Sequence, residues 1–305
     1  MLAGGMGLKK SIDINAQDHP CAGQIIGSEP ATMAAAAKIL AEHGYDVIDL
    51  NYACPVKKIK NKARGGHMLR DLERGFAILA ACRDAVPAQI PMTVSLRRAF
   101  DDSAESREMF FALADRVFLL GYSAIRVHAR TVEQKYLGRA DWAFLAEVKS
   151  RYSDKTILGS GDVFTAHDVV RMKKTTGVDV VWVARGAIGN PWIFNHAAQL
   201  LRGQDITAPT IHEQKDALAE HFGLAMELHG ESLAGRRMRK MGIKYARFHP
   251  LAPEVKRAFI EVHSLRDWHG VLDRFYVADG PGVFPPDAAA DEVNTDSDMQ
   301  TCEPS

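Results

Sequence analysis

The chain has little cysteine, and none of it is arranged for metal or for disulfides. Its 305 residues contain four cysteines, Cys21, Cys54, Cys82 and Cys302. No two form a C-x-x-C pair, and none is spaced with histidine as a metal-ligand set would be. A disulfide framework is therefore not expected in a chain of this size, nor is a metal centre. No apolar run approaches the ~20 residues that span a bilayer. The first residues, Met1-Leu2-Ala3-Gly4-Gly5, lack the basic start and long apolar stretch of a signal peptide. A cytoplasmic protein without a membrane partner is expected. There is no long-period internal repeat. No glycine-rich G-x-G-x-x-G turn follows the first apolar run, where Ile25-Ile26-Gly27-Ser28-Glu29-Pro30 stands instead.

Charge of one sign is missing locally. Residues 278–305 contain no Lys or Arg but seven acids: Asp279, Asp287, Asp291, Glu292, Asp296, Asp298 and Glu303. The rest of the chain holds all 38 basic residues and 31 of the 38 acidic ones. A basic body that tolerates a polyanion, followed by a disordered acidic tail, is expected.

Apolar material is ample, with 47% hydrophobic residues, and it is periodic. Short β-branched runs at 22–26, 47–51, 92–96, 124–128, 156–158 and 180–184 alternate with helical stretches near 30–43, 72–85, 104–120, 141–151, 165–175 and 191–202. Helix-start signals stand at Pro30, Asp71, Ser103, Asp141 and Thr165. Alternation over this many units implies a parallel sheet covered by helices. The polar residues Gln24, Asn51, Arg97, His128, Ser160 and Arg185 fall at or just after strand carboxyl ends. In a (β/α)8 barrel those ends converge on one mouth that carries the active site. A TIM-type barrel is therefore preferred over a doubly wound sheet. Six β/α units are visible rather than eight, and the 21 residues before Ala22 contain no convincing strand.

The strand pattern is lost after Gly203. Helices are expected at 212–229, 231–247, 253–262 and 266–276, as an all-α bundle appended to the barrel. The expected organisation is a barrel over 1–208, a helical domain over 209–277 and the tail over 278–305. Between Arg236 and Arg257 lie eight basic residues and one acid, Glu254, with Tyr245, Phe248 and His249 interleaved. A charge run is usually a solvated helix face. This excess, with aromatics among it, suits contact with a phosphate backbone and base stacking, and Arg236, Arg237, Lys240 and Lys244 are its candidate contacts.

Cys54 is the candidate acid. A lone loop cysteine is most often structural, but this one follows an apolar strand. Lys57, Lys58, Lys60, Lys62 and Arg64 make its loop electropositive, which favours thiolate character and nearness to phosphate. Asn51, three residues upstream, offers a donor and an acceptor to a base edge or a flavin carbonyl. Gly159-Ser160-Gly161-Asp162 and Ala184-Arg185-Gly186 each leave a strand with small residues and enter a helix. Two such turns in the last two units match the place where barrels bind phosphate.

The segment Asp49-Leu50-Asn51-Tyr52-Ala53-Cys54-Pro55-Val56-Lys57-Lys58 closely resembles the D-I-N-x-G-C-P-x-K-K motif of the tRNA-dihydrouridine synthases. So do the segments that begin at Gln24, His128, Ala140, Gly159 and Arg185, in the family's order and spacing. The likeness is strong over 22–203 and weaker over the helical region.

The resemblance implies an FMN-bearing TIM barrel with a helical domain that binds tRNA. NADPH would reduce the flavin, and a uracil of the tRNA D-loop region would receive a hydride at C6 and a proton at C5. Carried over, Cys54 is the proton donor. Gln24, His128, Ser160, Gly161, Asp162, Ala184 and Arg185 match FMN contacts, and Asn51 and Arg130 match positions near the uracil and flavin. A monomer is expected.

The chain departs from the family pattern in four respects. Ser95 stands where a lysine is usual, at the flavin's pyrimidine end. Ser160 replaces Asn, and Ala184 replaces Gly. The first β/α unit and second strand are also missing, and the smooth match from Gly7-Leu8 favours a late start of the sequence. Two alternatives stay open. One is a truncated, catalytically impaired homologue that still binds tRNA. The other is an FMN barrel reductase of small molecules, which leaves the basic bundle unexplained.

Overall fold

The computed structural model describes residues 12–55 and 64–285, apart from the side chains of Ser232 and Arg236. Six strands are present: β1 (Ala22–Ile25), β2 (Val47–Tyr52), β3 (Met92–Arg97), β4 (Ala124–His128), β5 (Thr156–Ser160) and β6 (Val180–Trp182). They form one sheet in the order β1-β2-β3-β4-β5-β6, and every pairing is parallel. Each crossover steps one strand in the same direction. That is the order of a singly wound (β/α) barrel, whereas a doubly wound sheet reverses at a switch point.

The intervening helices are α1 (Pro30–Glu42), α2 (Leu72–Ala85), α3 (Ala104–Leu119), α4 (Trp142–Arg151) and α5 (Ala166–Thr176). Their starts follow the local chemistry. Asp71, Ser103 and Asp141 each accept from a backbone N–H one turn in, and Pro30 opens α1 with its fixed φ.

The strands present two different faces. Ile48, Leu50, Val94, Leu96, Ile125 and Val127 are fully buried against the helical layer. A Cβ on Gly23 would lie 2.8 Å from Leu40 of α1, and one on Gly159 would lie 3.1 Å from Met172 of α5. The alternate residues, Gln24, Asp49, Asn51, Thr93, Ser95, Arg97, Arg126 and His128, therefore point away from the helices. Period-two geometry sorts an apolar seam from a polar working face within the same strands.

Two strand ends differ from the expectation by two residues. β5 continues two residues further, to Ser160. β6 stops at Trp182, because Ala184 (φ −117°, ψ −91°) leaves extended geometry to start a 3-10 turn at Arg185–Ala187.

The chain forms two compact units. The first holds the sheet, through Asp162 and again over Arg171–Trp182, and the second holds Val163–Val170 and the chain from Val183. The second unit is helical: α6 (Ile193–Leu201), α7 (Ile211–His229), α8 (Glu231–Tyr245), α9 (Ala252–Ile260) and α10 (Leu265–Phe275). Capping boxes at Thr210/Glu213 and Ser264/Asp267 set the starts of α7 and α10. Phe222 stacks on Trp268 at 4.9 Å, and Phe259 packs on the same indole at 5.0 Å. α8 and α9 meet at Gly242, where a Cβ would lie 2.5 Å from the Phe259 ring.

The start of the expected tail is tied down rather than disordered. Ile211 N–H donates to Gly280 O at 3.0 Å, His212 N–H to Asp279 Oδ1 at 3.0 Å, and Val283 N–H to Phe248 O at 2.9 Å. The remainder of the tail, 286–305, lies outside the described residues, as do Lys57, Lys58, Lys60 and Lys62.

Candidate active site

Asp49 sits in the middle of β2 on the polar face and is 7% exposed. A bare carboxylate there would be costly, and three donors satisfy it. Gln24 Nε2 reaches Asp49 Oδ2 at 2.6 Å, Ser95 Oγ reaches the same oxygen at 2.6 Å, and Thr93 Oγ1 reaches Oδ1 at 2.6 Å. Gln24 then passes the order outward. Its Oε1 accepts from Asn51 Nδ2 at 2.8 Å. Asn51 Oδ1 in turn accepts from the N–H groups of Ala53 and Cys54, both at 3.0 Å. One hydrogen-bonded chain thus runs from a buried carboxylate to the backbone of the cysteine.

The other side of Cys54 is held as firmly. Gly66 N–H donates to Cys54 O at 3.1 Å. Gly65 sits at φ +59°, and a Cβ there would lie 2.9 Å from that same oxygen. Arg97, 1% exposed, donates from Nε to Ala53 O at 2.9 Å and from Nη1 to Thr131 O at 2.9 Å and to Lys135 O. The Cys54 thiol is free and half-buried. A concavity of about 430 Å3 after β1 is lined by Gln24, Glu29, Met33 and Arg64 among others.

The loops after β4 and β5 are joined by an ion pair. Arg130 Nη2 meets Asp162 Oδ1 at 2.7 Å and Oδ2 at 2.8 Å, and donates to Gly138 O at 2.5 Å. Ala140 N–H adds a bond to Asp162 Oδ2 at 2.7 Å. The Nη1 of Arg130 is buried without a hydrogen-bond partner. Gly161 stands at φ +122°, where a Cβ would lie 2.7 Å from Ala140 Cβ and 3.4 Å from His128 Nδ1. Only glycine fits, and it brings the backbone close to His128. Ser160, 8% exposed, closes β5 and accepts from Ala129 N–H at 2.9 Å through its carbonyl.

One more cation lies on the polar face. Arg126 is centred 4.3 Å over the ring of Trp182. Burial pulls its pKa below the ordinary arginine value, and the charge of Asp49 opposes that pull.

In the second unit, Ala184 precedes the 3-10 turn and its carbonyl accepts from Ala187 N–H at 3.1 Å. Gly186 is forced, since a Cβ would lie 2.4 Å from Val163 O. Arg185 lies 5.1 Å over the Phe164 ring. The N–H groups of Phe164 and Thr165 are already taken by Asp168 Oδ2, at 3.0 and 2.9 Å.

A family model described as Dihydrouridine synthase (Dus) matches residues 8–275. The chain belongs to the dihydrouridine synthase family. A "Probable tRNA-dihydrouridine synthase" of Mycobacterium tuberculosis (strain CDC 1551 / Oshkosh) is 34% identical over 278 residues, 90% of this chain and 70% of that one. One of the same description from Rhizobium leguminosarum bv. phaseoli is 33% identical over 262 residues, 86% of this chain and 78% of its own. A "tRNA-dihydrouridine synthase B" of Xanthomonas axonopodis pv. citri is 31% identical over 274 residues, 88% of this chain and 80% of that one.

Within this dihydrouridine synthase chain the first unit brings together Gln24, Asn51 and Cys54, and separately His128, Arg130, Ser160, Gly161 and Asp162. Two expected roles change. The Asn51 carbonyl oxygen is used by the Cys54 turn, so it is not available to read a base. The aromatics among the basic residues are not a stacking platform: Tyr245 is 4%, Phe248 1% and His249 3% exposed. Tyr245 ends α8, Phe248 lies in the 3-10 turn that follows, and His249 Nε2 pairs with Phe275 O at 2.9 Å. Arg237, Lys240 and Lys244 are exposed, while the side chain of Arg236 lies outside the described residues. Arg247 is half-buried and donates to Ile188 O at 3.2 Å. Asp49 and Arg126 were not among the expected site residues, and Arg97 was placed at the barrel mouth without a role. An acid two residues before Asn51 on a strand shares its face, and that spacing was the available signal.

Among the described residues, no group of three or more His, Cys, Asp or Glu is placed to hold a metal ion. No helix of the described residues is long and apolar enough to cross a membrane.

Proposed function

We propose that the protein is a tRNA-dihydrouridine synthase that reduces the C5–C6 bond of uridines in the tRNA D-loop region, with FMN as cofactor, NADPH as reductant and Cys54 as proton donor. The observation that carries this reading is the hydrogen-bonded chain Asp49–Gln24–Asn51–Cys54 at the carboxyl ends of β1 and β2. It fixes a free thiol on a scaffold that otherwise has no need of one there.

The residues of the first unit suit a phosphorylated flavin. Gly161, at φ +122°, lets the backbone after β5 pass close to Ala140 and His128. Arg130 keeps one buried donor in reserve. His128 and Ser160 flank that glycine. These residues, with Gln24 and Asp162, are assigned to FMN. Ala184 and Arg185 of the second unit keep that assignment on the resemblance alone. The bound flavin supplies the hydride; the protein supplies orientation and an acid.

In this scheme the Cys54 Sγ–H gives its proton to C5 of the uracil. Asn51 orients that thiol through the backbone rather than by touching the base. Arg130 holds the loops after β4 and β5 in register and offers its remaining Nη1 donor. The target base must leave its stack, which costs a few kcal/mol and less in a loop. Arg237, Lys240 and Lys244, with Arg236, contact the tRNA backbone. The enzyme works as a cytoplasmic monomer.

The test is purification with FMN, followed by NADPH-dependent dihydrouridine formation on unmodified tRNA, comparing wild type with Cys54→Ala. Undiminished activity of the variant overturns the role of Cys54. Ser95, in place of the family lysine, favours a second reading, a tRNA-binding homologue without catalysis. It requires salt-dependent tRNA binding by a colourless protein, and a yellow FMN-loaded protein counts against it.

A further inference from the structure

The residue at position 95 cannot act as a cation, and its hydroxyl is taken by Asp49 at 2.6 Å. Its register partner on the neighbouring strand is Arg126. Arg126 lies on the same polar face, at the same level of the sheet. The next residues across that level are Leu158 and Val180, which are apolar. Among the described residues the guanidinium donates no hydrogen bond and forms no ion pair. Asp49 bears the nearby negative charge, yet its oxygens are already satisfied by Gln24, Thr93 and Ser95. The guanidinium carbon lies 4.3 Å from the centre of the Trp182 ring. A planar cation with its donors unused, held against an indole, is built to meet a planar acceptor.

We propose that Arg126 takes over, from the neighbouring strand, the cationic role that the resemblance gives to a lysine at position 95. It faces the pyrimidine edge of FMN and favours its reduced, anionic form. The inference rests on the function proposed above.

A purely structural Arg126 makes a different prediction. As a through-space counter-ion of Asp49 it would stabilise the fold and leave the flavin's two redox states equally bound. Facing the N1–C2=O edge, it discriminates between them, because negative charge gathers there on reduction. A guanidinium can give that edge two parallel N–H donors.

The experiment compares wild type, Arg126→Leu, Arg126→Lys and the swap Ser95→Lys/Arg126→Leu. Oxidised FMN affinity is read by quenching of flavin fluorescence. The two-electron midpoint potential of the bound flavin is read by spectroelectrochemistry. Arg126→Leu is expected to weaken binding of reduced FMN about tenfold more than binding of oxidised FMN, which lowers the potential by about 30 mV. Arg126→Lys keeps part of the difference, and the swap restores most of it.

A potential unchanged in Arg126→Leu overturns the inference and leaves the proposed function standing. So does a shift that Asp49→Asn in the Leu background reverses, since the charge of Asp49 would then be its cause. If wild type binds no FMN, both fall. Should Arg126→Leu fail to fold, Arg126→Gln takes its place, with the same shift expected and the same null result decisive.

Discussion

Asn51 Oδ1 accepts from the backbone N–H of Cys54 at 3.0 Å, while Asn51 Nδ2 donates to Gln24 at 2.8 Å. The amide is therefore the joint between the strand and the acid. Asn51→Ala removes the joint without touching the thiol. Misplacement of a reacting group by about 1 Å can cost on the order of 100-fold in rate. A loss of that size in dihydrouridine formation is expected, with tRNA binding unchanged. Asn51→Asp keeps the acceptor for Cys54 but loses the donor to Gln24, so its loss is smaller. Activity, filter binding and FMN content measured together separate a displaced acid from an unloaded site.

Asp49 is the root of the same chain. It takes three short hydrogen bonds in a buried setting. Asp49→Ala leaves the hydroxyls of Thr93 and Ser95 and the Gln24 amide without their acceptor, and Arg126 without its nearby charge. Hydrogen bonds to charged groups are worth about 1.5–3 kcal/mol each and are not additive, so a destabilisation of about 3 kcal/mol is expected in urea unfolding. Asp49→Asn keeps one acceptor oxygen and is expected to lose less. Its effect on activity passes through Asn51, so the two single variants and the double variant should fall short of additivity.

Much of this arrangement was legible in the sequence because strands alternate. Gln24, Asn51, His128 and Ser160 could be placed at strand ends from apolar runs alone, and the alternation of strands with helices gave the parallel sheet. Asp49 was readable in the motif, but its task was not. A carboxylate inside an apolar run announces that it is satisfied, without naming its donors, which come from 25 to 46 residues away. Arg126 was hidden for the same reason, since its pairing with Ser95 depends on β3–β4 register. The aromatics among the basic residues misled because the excess of charge was counted along the chain. A helix divides its residues by angle, and Tyr245 fell on the core side with Met238. The end of the helical unit was also misplaced. An acid-rich composition gave no hint that Asp279 would cap the first turn of α7 by accepting from His212 N–H.

Two cysteines should differ sharply in chemistry. Cys82 lies on the buried side of α2, and burial pushes its thiol up to about 12. An unfolded thiol titrates near 8.5. Between these values the unfolded chain holds fewer protons than the folded one. The contribution of the neutral buried thiol is therefore complete below about pH 8.5 and declines as pH rises toward 12. Urea midpoints at pH 7 and 9.5 should show a fall in wild type that is smaller in Cys82→Ala. At pH 7.5, iodoacetamide followed by mass spectrometry should label half-buried Cys54 and spare Cys82 in the folded protein. Equal labelling of the two would contradict the packing of α2.

The exposed cations of α8 give the last expectation. Arg237 and Lys240 are exposed, and Arg237 Nη1 lies 2.6 Å from His229 Nε2 at the end of α7. Neither side chain belongs to the helical core, so Arg237→Ala and Lys240→Ala should leave the melting temperature nearly unchanged. If each meets one phosphate, each removes about one unit from the slope of log Kobs against log salt for tRNA binding. Arg247 provides the internal contrast. Its guanidinium is half-buried and donates to the carbonyl of Ile188, so Arg247→Ala is expected to lower stability while leaving the salt slope intact. Titrations of labelled tRNA at 50 to 200 mM salt decide between them. A slope that responds to Arg247 and ignores Lys240 would move the RNA contact off the exposed side of α8.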